Sequence, residues 1–208
     1  MSLLLSTLIA ALFVTPAFAV SGRNLHVGGV LNNAAGMPVA DPIATRTLAS
    51  VVVRKPDGRI RYGSHGYPGS ERATNLPFIG NNVYNTTAAR QGATVENFNE
   101  LEGAYYTFDI SIQNDGNRVD RFRVKATGAA SAGWTIRYYR GAIDITSAVL
   151  AGTYQTTSLA PGATYLIRAR MTVKTGADMT RLVTIRSGAD PTKVDAVKFA
   201  YKAIQCGC

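Results

Sequence analysis

The sequence predicts an all-β protein, and three observations point to that class. Tyr106, Phe108, Ile110 and Ile112 alternate with polar residues, which is the period of two of a strand with one buried face. The chain contains 20 glycines, and turn signals recur about every ten residues in its second half. Few runs have the length and period of an amphipathic helix. With 46% hydrophobic and 17% charged residues, the chain can form a packed core, which excludes disorder throughout.

Residues 1–19 are predicted to be a secretory signal peptide. An apolar run from Leu3 to Val14 precedes the small-residue site Ala17-Phe18-Ala19, and cleavage is expected after Ala19. The usual basic residues before the apolar run are absent. The alternative is a retained membrane anchor, but a spanning helix needs about 20 apolar residues and this run is shorter. We therefore expect a secreted or cell-surface protein with no transmembrane segment after removal of the signal.

Residues 20–92 are predicted to form an N-terminal arm and an irregular linker with one short hairpin. The first part is rich in Gly, Asn, Ala and Pro, which favours a loose tether. A β-branched strand at Val51–Val53 can pair with Arg59–Tyr62 around a turn at Lys55–Gly58. The remainder, Gly63–Gln91, shows little periodicity, and we expect it to be a linker that packs on the following domain.

Residues 93–205 are predicted to form an immunoglobulin-like antiparallel β-sandwich. About seven or eight strands in about 110 residues is the strand spacing of that architecture. The predicted strands are Thr94–Phe98, Ala104–Gln113, Val119–Ala126, Trp134–Tyr139, Ile143–Ile145, Ala163–Val173, Arg181–Arg186 and Val194–Ala203.

The stretch from Tyr105 to Val124 is predicted to be a β-hairpin within this domain. Apolar residues alternate on both sides of Asn114–Asn117, a segment whose Asn, Asp and Gly residues favour a tight turn. Trp134, the one tryptophan of the sequence, is expected in the core between the sheets.

Several turn motifs in this domain are typical of one type of module. They are the Asn-x-Gly turn that ends Tyr105–Gly116, the Gly-Trp pair at Gly133, the turn Leu159–Gly162 and the turn Ser187–Pro191. Over roughly Thr94–Ala203 the chain resembles bacterial extracellular immunoglobulin-like modules of the cell-adhesion-related, CARDB-like type. The resemblance implies an adhesive, structural or accessory role and no catalytic residues.

The residues that usually carry catalysis or bind cofactors are scarce. The two histidines, His26 and His65, lie in glycine-rich stretches without a serine or cysteine nucleophile motif, so they are expected to be exposed loop residues. Only 13 acidic residues are present, and none forms a recognisable pair across a cleft. We predict no enzyme activity, no catalytic residues and no cofactor.

One group of oxygen-bearing side chains resembles a calcium site. Asp115, Asn117 and Asp120 have the close spacing that calcium favours, and Asp109 on the adjoining strand is a candidate fourth ligand. The bidentate acid of a complete calcium loop is missing. The alternative is a plain turn without metal.

The charge of the chain favours anionic partners. It has 22 Lys and Arg against 13 Asp and Glu, a net charge of +9 and an isoelectric point near 9.8. The electrostatic field of a protein with this net positive charge attracts anionic cell-envelope polymers or lipid surfaces. Nucleic acid is not expected as a partner, because the chain is predicted to be exported and lacks a recognisable nucleic-acid-binding motif. The alternative is that outward charges only keep the strands soluble. The candidate polyanion-binding residues are Arg121, Arg123, Lys125, Arg168 and Arg170.

Tyrosines provide a different binding hypothesis. Tyr84, Tyr105, Tyr139 and Tyr154 are candidates for exposed aromatic residues that could stack on sugar rings. That arrangement would make the chain a carbohydrate-binding accessory module.

Two features allow self-assembly. Cys206 and Cys208 are too close in sequence to span a sandwich, which leaves a local bridge, an intermolecular disulfide or an incidental tail. Apolar parts of the arm could add as a strand to a neighbouring copy, which would make the chain a subunit of an extracellular polymer.

The principal expectation remains a secreted, non-enzymatic cell-surface or adhesion module whose partner is an envelope polymer or another surface protein.

Overall fold

A computed structural model describes residues 50–67, 69–74, 76–98, 102–127, 132–175 and 177–204. The predicted signal peptide, the arm up to residue 49, His26 and the tail with Cys206 and Cys208 lie outside the described residues, so those expectations stay predictions.

The described residues form eleven strands and one short helix. In chain order they are β1 (Pro56–Tyr67), β2 (Ser70–Ala73), β3 (Gly92–Phe98), β4 (Tyr105–Asn114), β5 (Phe122–Ala126), β6 (Trp134–Arg140), β7 (Ile143–Asp144), α1 (Thr146–Ala151), β8 (Tyr154–Gln155), β9 (Thr164–Val173), β10 (Met179–Ser187) and β11 (Val194–Ile204). No helix in these ranges has the length and apolarity needed to cross a membrane.

The strands belong to two sheets. The first has the order β2-β1-β4-β9-β6-β7, and the second has the order β3-β11-β10-β5-β8. Neighbouring strands are antiparallel except β3, which runs parallel to β11. The all-β class with two sheets is therefore confirmed. The predicted count of seven to eight strands is too low, because β2 and β8 were not recognised as strands and β1 was predicted only as the short strand Arg59–Tyr62 outside the sandwich. The predicted strand at Val51–Val53 is not a strand in the structure.

Strand β1 corrects the predicted boundary at residue 93. It pairs with β4 from Pro56 opposite Asn114 to Gly66 opposite Tyr105, so it is an integral strand of the first sheet. The predicted turn at Lys55–Gly58 is wrong, since Pro56 to Gly58 lie within the strand. Proline and glycine usually mark turns. Here a Cβ on Gly58 would lie 2.6 Å from the Ile185 Cδ1 atom of the second sheet, so any larger residue would have to displace the buried Ile185 side chain.

The predicted hairpin from Tyr105 to Val124 is also wrong. Strand β4 lies between β1 and β9 in the first sheet, whereas β5 lies between β10 and β8 in the second. The connection crosses between sheets instead of joining paired strands. Asn114 stabilises this crossing, because its side chain accepts a hydrogen bond from the Gly116 amide and donates to the carbonyl oxygen of Leu159.

The core lies between the two sheets. The rings of Phe108 and Phe199 have centroids 4.9 Å apart, and those of Trp134 and Tyr201 are 4.5 Å apart. Each pair joins the first sheet to the second. Trp134 is fully buried, as predicted from the sequence. Such aromatic pairs contribute about 0.5–1.5 kcal/mol beyond the burial of their area.

The other face of β4 is covered as well. Thr107, Asp109 and Ser111 were predicted to form an exposed polar row, but all three are buried. Arginines from the neighbouring strands β1 and β9 lie over them. This face of the first sheet, opposite the core, carries the candidate functional site.

Candidate functional site

Arginines from three strands meet on the outer side of the first sheet. Successive side chains of a strand point to opposite faces, and the chain neighbours of each of these arginines point into the core. In β9, for example, Ala169 is buried between Arg168 and Arg170. We call this set the arginine face; its members are Arg61 of β1, Arg137 of β6, and Arg168 and Arg170 of β9.

A single carboxylate ties part of the arginine face together. The Asp109 Oδ2 atom accepts hydrogen bonds from Arg61 Nε at 3.1 Å and Arg61 Nη2 at 2.9 Å. Its Oδ1 atom accepts from Arg168 Nε at 2.8 Å. Asp109 lies in β4 between the strands of the two arginines, so the contacts connect three strands. Two guanidinium groups share one carboxylate, and this cluster keeps a net positive charge.

Arg170 has a different environment. In the register of β6 and β9 it lies directly opposite Arg137, and in the register of β4 and β9 it lies opposite Thr107. Its guanidinium lies 3.8 Å from the centroid of the Tyr105 ring, an attractive cation–π contact. Its Nε atom is buried and has no hydrogen-bond partner among the described residues. Within that part of the chain no carboxylate forms an ion pair with Arg170.

Arg137 is only weakly compensated. Its Nη1 atom lies 3.6 Å from the Asp144 Oδ2 atom, and both side chains are largely exposed, at 59% and 44%. Exposed pairs of this kind contribute about 0–1 kcal/mol. Like charges directly opposite each other on adjacent strands are destabilising. The Arg137–Arg170 pair is therefore a position where an added anion would relieve repulsion.

Two open depressions adjoin this pair. The first has a volume of about 290 Å³ and is lined by Thr135, Arg137, Tyr139, Arg170 and Thr172. The second has a volume of about 240 Å³. Its lining comprises Glu71, Tyr105, Thr107, Tyr139, Gly141, Ala142, Arg168 and Arg170. Tyr139 and Arg170 border both, so the depressions are neighbours on one surface. Both walls offer guanidinium and hydroxyl groups, a set suited to binding an anion with hydroxyl substituents. The wall of the second depression also carries the Glu71 carboxylate, so the first depression suits an anion better.

The structure divides the predicted polyanion-binding residues between two surfaces. Arg168 and Arg170 belong to the arginine face, whereas Arg123 and Lys125 are exposed on β5 of the second sheet. Arg121 precedes β5, and its Nε atom donates to the Ser158 Oγ atom at 2.9 Å. The five residues therefore do not form one continuous site. Arg137 completes the arginine face. Its outward position follows from alternation in β6, but only the register places it opposite Arg170.

The four predicted calcium ligands do not come together. Each has its own partner: two arginines for Asp109, the Tyr84 hydroxyl for Asp115, the backbone of Val51 and Val53 for Asn117, and the Ser187 hydroxyl for Asp120. Among the described residues, no group of three or more His, Cys, Asp or Glu side chains could hold a metal ion. The paired guanidinium groups also make the surroundings of Asp109 unsuitable for a cation.

The four predicted tyrosines do not form a common stacking platform. Tyr105 is buried under Arg170, contrary to the expectation of exposure. Tyr154 is half-buried, and its hydroxyl lies 2.7 Å from the Tyr165 hydroxyl. Tyr84 lies on the loop after β2 and is 36% exposed. Of the four, only Tyr139 borders the depressions with a partly exposed side chain.

His65 is not an exposed loop residue. It lies in β1, is half-buried, and stacks on Tyr62 with ring centroids 6.0 Å apart. It also stacks on Tyr106, at 6.5 Å. These contacts indicate a structural role at the margin of the core.

A second polar cluster fastens the segment 80–91 onto the domain. Asp195 of β11 is fully buried, and its Oδ2 atom accepts from the Gly58 amide at 2.6 Å and from Gln91 Nε2 at 2.9 Å. Its Oδ1 atom accepts from the Asn85 amide at 3.0 Å. Burial raises the pKa of Asp195, and these hydrogen bonds oppose that effect. The sequence offered no signal for this cluster, since its members lie far apart in the chain.

Asp57 belongs to the same cluster. It is fully buried, its Oδ1 atom accepts from the Asn82 amide at 3.1 Å, and its Oδ2 atom has no partner among the described residues. Burial, followed by repulsion from Asp115 and Asp195, raises the pKa of Asp57 to about 7. The carboxyl group therefore titrates near neutral pH in the folded protein.

No protein-family model matches the sequence, and neither does any curated protein. Among solved structures, the chain is similar to the N-terminal domain of PorA, with 11% identity and a TM-score of 0.37 over 70% of this chain and 96% of that one. It is also similar to the secreted serine protease VesC from Vibrio cholerae, with 12% identity and a TM-score of 0.36 over 56% of this chain. A FixG-related protein from Vibrio parahaemolyticus has 10% identity and a TM-score of 0.32 over 49% of this chain and 81% of its own.

This chain covers only 22% of the length of VesC. Similarities at these TM-scores carry no argument about activity or ligand. The resemblance to CARDB-like modules, the export of the chain and the absence of enzyme activity accordingly stay predictions.

Proposed function

We propose that this chain is a non-enzymatic, secreted or cell-surface module that binds an anionic polymer through its arginine face. The observation that carries the proposal is the cross-strand pair of Arg137 and Arg170, which has no buried carboxylate between its members. A surface that served only solubility could place positive and negative side chains opposite each other. Here two arginines are cross-strand neighbours and line the same depression, and a bound anionic group would stabilise the arrangement.

The fold proposed for this module is an immunoglobulin-like sandwich of the CARDB-like type. Support comes from the two packed sheets and from the strands predicted at the spacing of that architecture. A rigid sheet is a suitable base for the site, since side chains on strands are positioned more firmly than those on loops. Strand β9 is hydrogen-bonded on both sides, to β4 and β6, which holds Arg168 and Arg170 in register.

Electrostatics would supply both attraction and orientation. The net charge of +9 draws an anionic polymer toward the protein at a distance. At contact, the planar guanidinium forks can donate paired hydrogen bonds to carboxylate, sulfate or phosphate oxygens. Binding of this kind weakens as salt concentration rises, because screening reduces the attraction.

The test measures binding of the purified chain to polygalacturonate, dextran sulfate and neutral dextran by biolayer interferometry at several salt concentrations. R137Q/R170Q is compared with R123Q/K125Q, a control that removes the same charge from the second sheet. We expect an affinity for at least one anionic polymer that falls about tenfold or more in R137Q/R170Q and less than about twofold in the control. Equal losses in both variants would show that only net charge matters. Failure of both anionic polymers to bind would overturn the proposal.

A polymer subunit is a second candidate function. Strand β3 pairs with β11 on one side only, so its other edge is open among the described strands and could accept a strand from a second copy. Light scattering on the full chain and on a form without residues 20–49 tests this. Oligomers lost on deletion would support strand addition, and a monomer under all conditions would refute it.

A further inference from the structure

The two arginines of β9 have unequal partners, although they lie two residues apart. Arg168 donates to Asp109 at 2.8 Å, and its charge is already paired. Arg170 contacts an aromatic ring, faces another arginine and keeps a buried Nε atom without a hydrogen-bond partner among the described residues. Among the described residues no carboxylate pairs with the Arg170 guanidinium, so its charge is available to a bound anion.

We infer that the depression between Arg137 and Arg170 is a subsite for one carboxylated sugar residue, so that the polymer is an acidic polysaccharide. This inference rests on the proposed function and narrows it to one ligand chemistry. The sugar carboxylate would lie between the two guanidinium groups. Its hydroxyl groups would face the threonines and the tyrosine that complete the wall.

The register explains why these groups meet. Thr135 lies opposite Thr172, and Arg137 lies opposite Arg170, in consecutive outward rows of β6 and β9. Tyr139 borders the same depression from the next outward position of β6. The site thus combines two cationic donors with three hydroxyl groups within about 290 Å³. A hydroxyl can donate or accept, which suits the hydroxyl groups of a sugar ring.

The neighbouring depression favours a chain of sugars over a single one. It shares Tyr139 and Arg170 with the first and adds Arg168 and Thr107 to its wall. An adjacent residue of the same polysaccharide would therefore meet hydroxyl groups and the Arg168 guanidinium, together with the Glu71 carboxylate that also lines this depression. Because Asp109 already pairs with Arg168, we assign the charged contact to the first depression alone.

Other anionic macromolecules fit this location less well. A peptide that binds by strand addition needs a free sheet edge for its main-chain hydrogen bonds. Here the depression lies over β6 and β9, whose facing backbone groups are already paired with each other. A single-stranded nucleic acid needs an open aromatic face for its bases. One face of Tyr105 is already occupied by the Arg170 guanidinium at 3.8 Å.

The experiment titrates trigalacturonate into the full chain and follows binding by isothermal titration calorimetry. The matched ligand control is the methyl ester of trigalacturonate, which keeps the sugar and removes the charge. Variants R137Q and R170Q are compared with R123Q on the second sheet. We expect trigalacturonate to bind, the ester to bind at least about tenfold more weakly, and R137Q and R170Q each to weaken binding about tenfold, with R123Q unchanged.

The outcomes separate this inference from the proposed function. Binding of dextran sulfate through the arginine face without binding of trigalacturonate would overturn the carboxylated-sugar subsite and leave the function standing. Equal binding of the acid and its ester would also overturn the subsite, because recognition would not involve the carboxylate. Failure of every anionic ligand would overturn both. R137Q keeps the test decisive if R170Q does not fold, since the Arg137 side chain is 59% exposed.

Discussion

Arg137 of β6 lies directly opposite Arg170 of β9, and among the described residues no buried carboxylate forms an ion pair with either guanidinium group. Two residues earlier in β9, Arg168 has the opposite situation, because Asp109 accepts its hydrogen bond at 2.8 Å. The two adjacent outward positions of β9 thus differ in their electrostatic compensation. This difference generates expectations for stability as well as for binding.

Removal of one charge from the pair should stabilise the free protein at low salt. R137Q also removes the exposed ion pair with Asp144, so the parent for this comparison is D144N. In that background we expect R137Q to raise the free energy of unfolding by about 0.2–0.5 kcal/mol at about 20 mM salt, because a like-charge contact is lost. The gain should shrink at about 500 mM salt, where screening is strong. Urea denaturation at both salt concentrations measures it. A variant that is less stable than the parent at low salt would contradict the repulsion that we infer.

Removal of the shared carboxylate should have the opposite effect. In D109N, Arg61 and Arg168 lose their charged partner, and we expect the free energy of unfolding to fall by about 2 kcal/mol. The partial exposure of the arginines, at 31% and 47%, limits the loss. D144N is the control, since the exposed ion pair of Asp144 should contribute less than about 1 kcal/mol. Equal effects of D109N and D144N in urea denaturation would show that the Asp109 cluster is unimportant for stability.

Asp57 should make stability depend on pH. Its pKa rises from 3.8 to about 7 on folding, so between these values the folded state holds a proton that the unfolded state has released. The stabilisation from this group is complete below about pH 4, and it is lost as pH rises toward about pH 7. Urea denaturation across this interval should therefore show stability falling with pH. Asp195, whose pKa is also raised, acts in the same direction.

The variant D57N isolates this contribution. An asparagine keeps an oxygen that can accept from the Asn82 amide, and it cannot ionise. We expect D57N to be more stable than the parent above about pH 7 and to show a shallower decline with pH. D190N is the control, because Asp190 is outside the buried cluster. An unchanged slope in D57N would assign the pH dependence to other groups.

Gly58 should be intolerant of a side chain for a specific steric reason. A Cβ at this position would lie 2.6 Å from Ile185 Cδ1 and 3.1 Å from Val197 Cγ1. We expect G58A to lower the free energy of unfolding by about 1–3 kcal/mol through overpacking. The substitution I185V removes the Cδ1 atom. The cost of G58A should therefore be smaller in an I185V background, and a double-mutant cycle that shows additive effects would contradict the steric explanation.

After residue 93, the sequence by itself determined most of the strands and which of their side chains point into the core. All eight strands predicted after residue 93 correspond to observed strands, and Trp134 is in the core. These features follow from local physics, because a period of two assigns alternate residues to opposite faces of a strand. Only Arg59–Tyr62 of strand β1 was predicted as a strand, since Pro56, Gly58 and Gly63 are residues that usually mark turns.

Only the tertiary structure decided which strands pair and in what register. Alternation does not distinguish a hairpin partner from a strand in the opposite sheet, so β4 and β5 were wrongly joined. Register then brought Arg137 opposite Arg170, buried Asp109 between two arginines, and gathered Asp57 and Asp195 around the segment 80–91. The physical reason is that facing and burial are local properties of a strand, whereas pairing is set by contacts between residues distant in the chain.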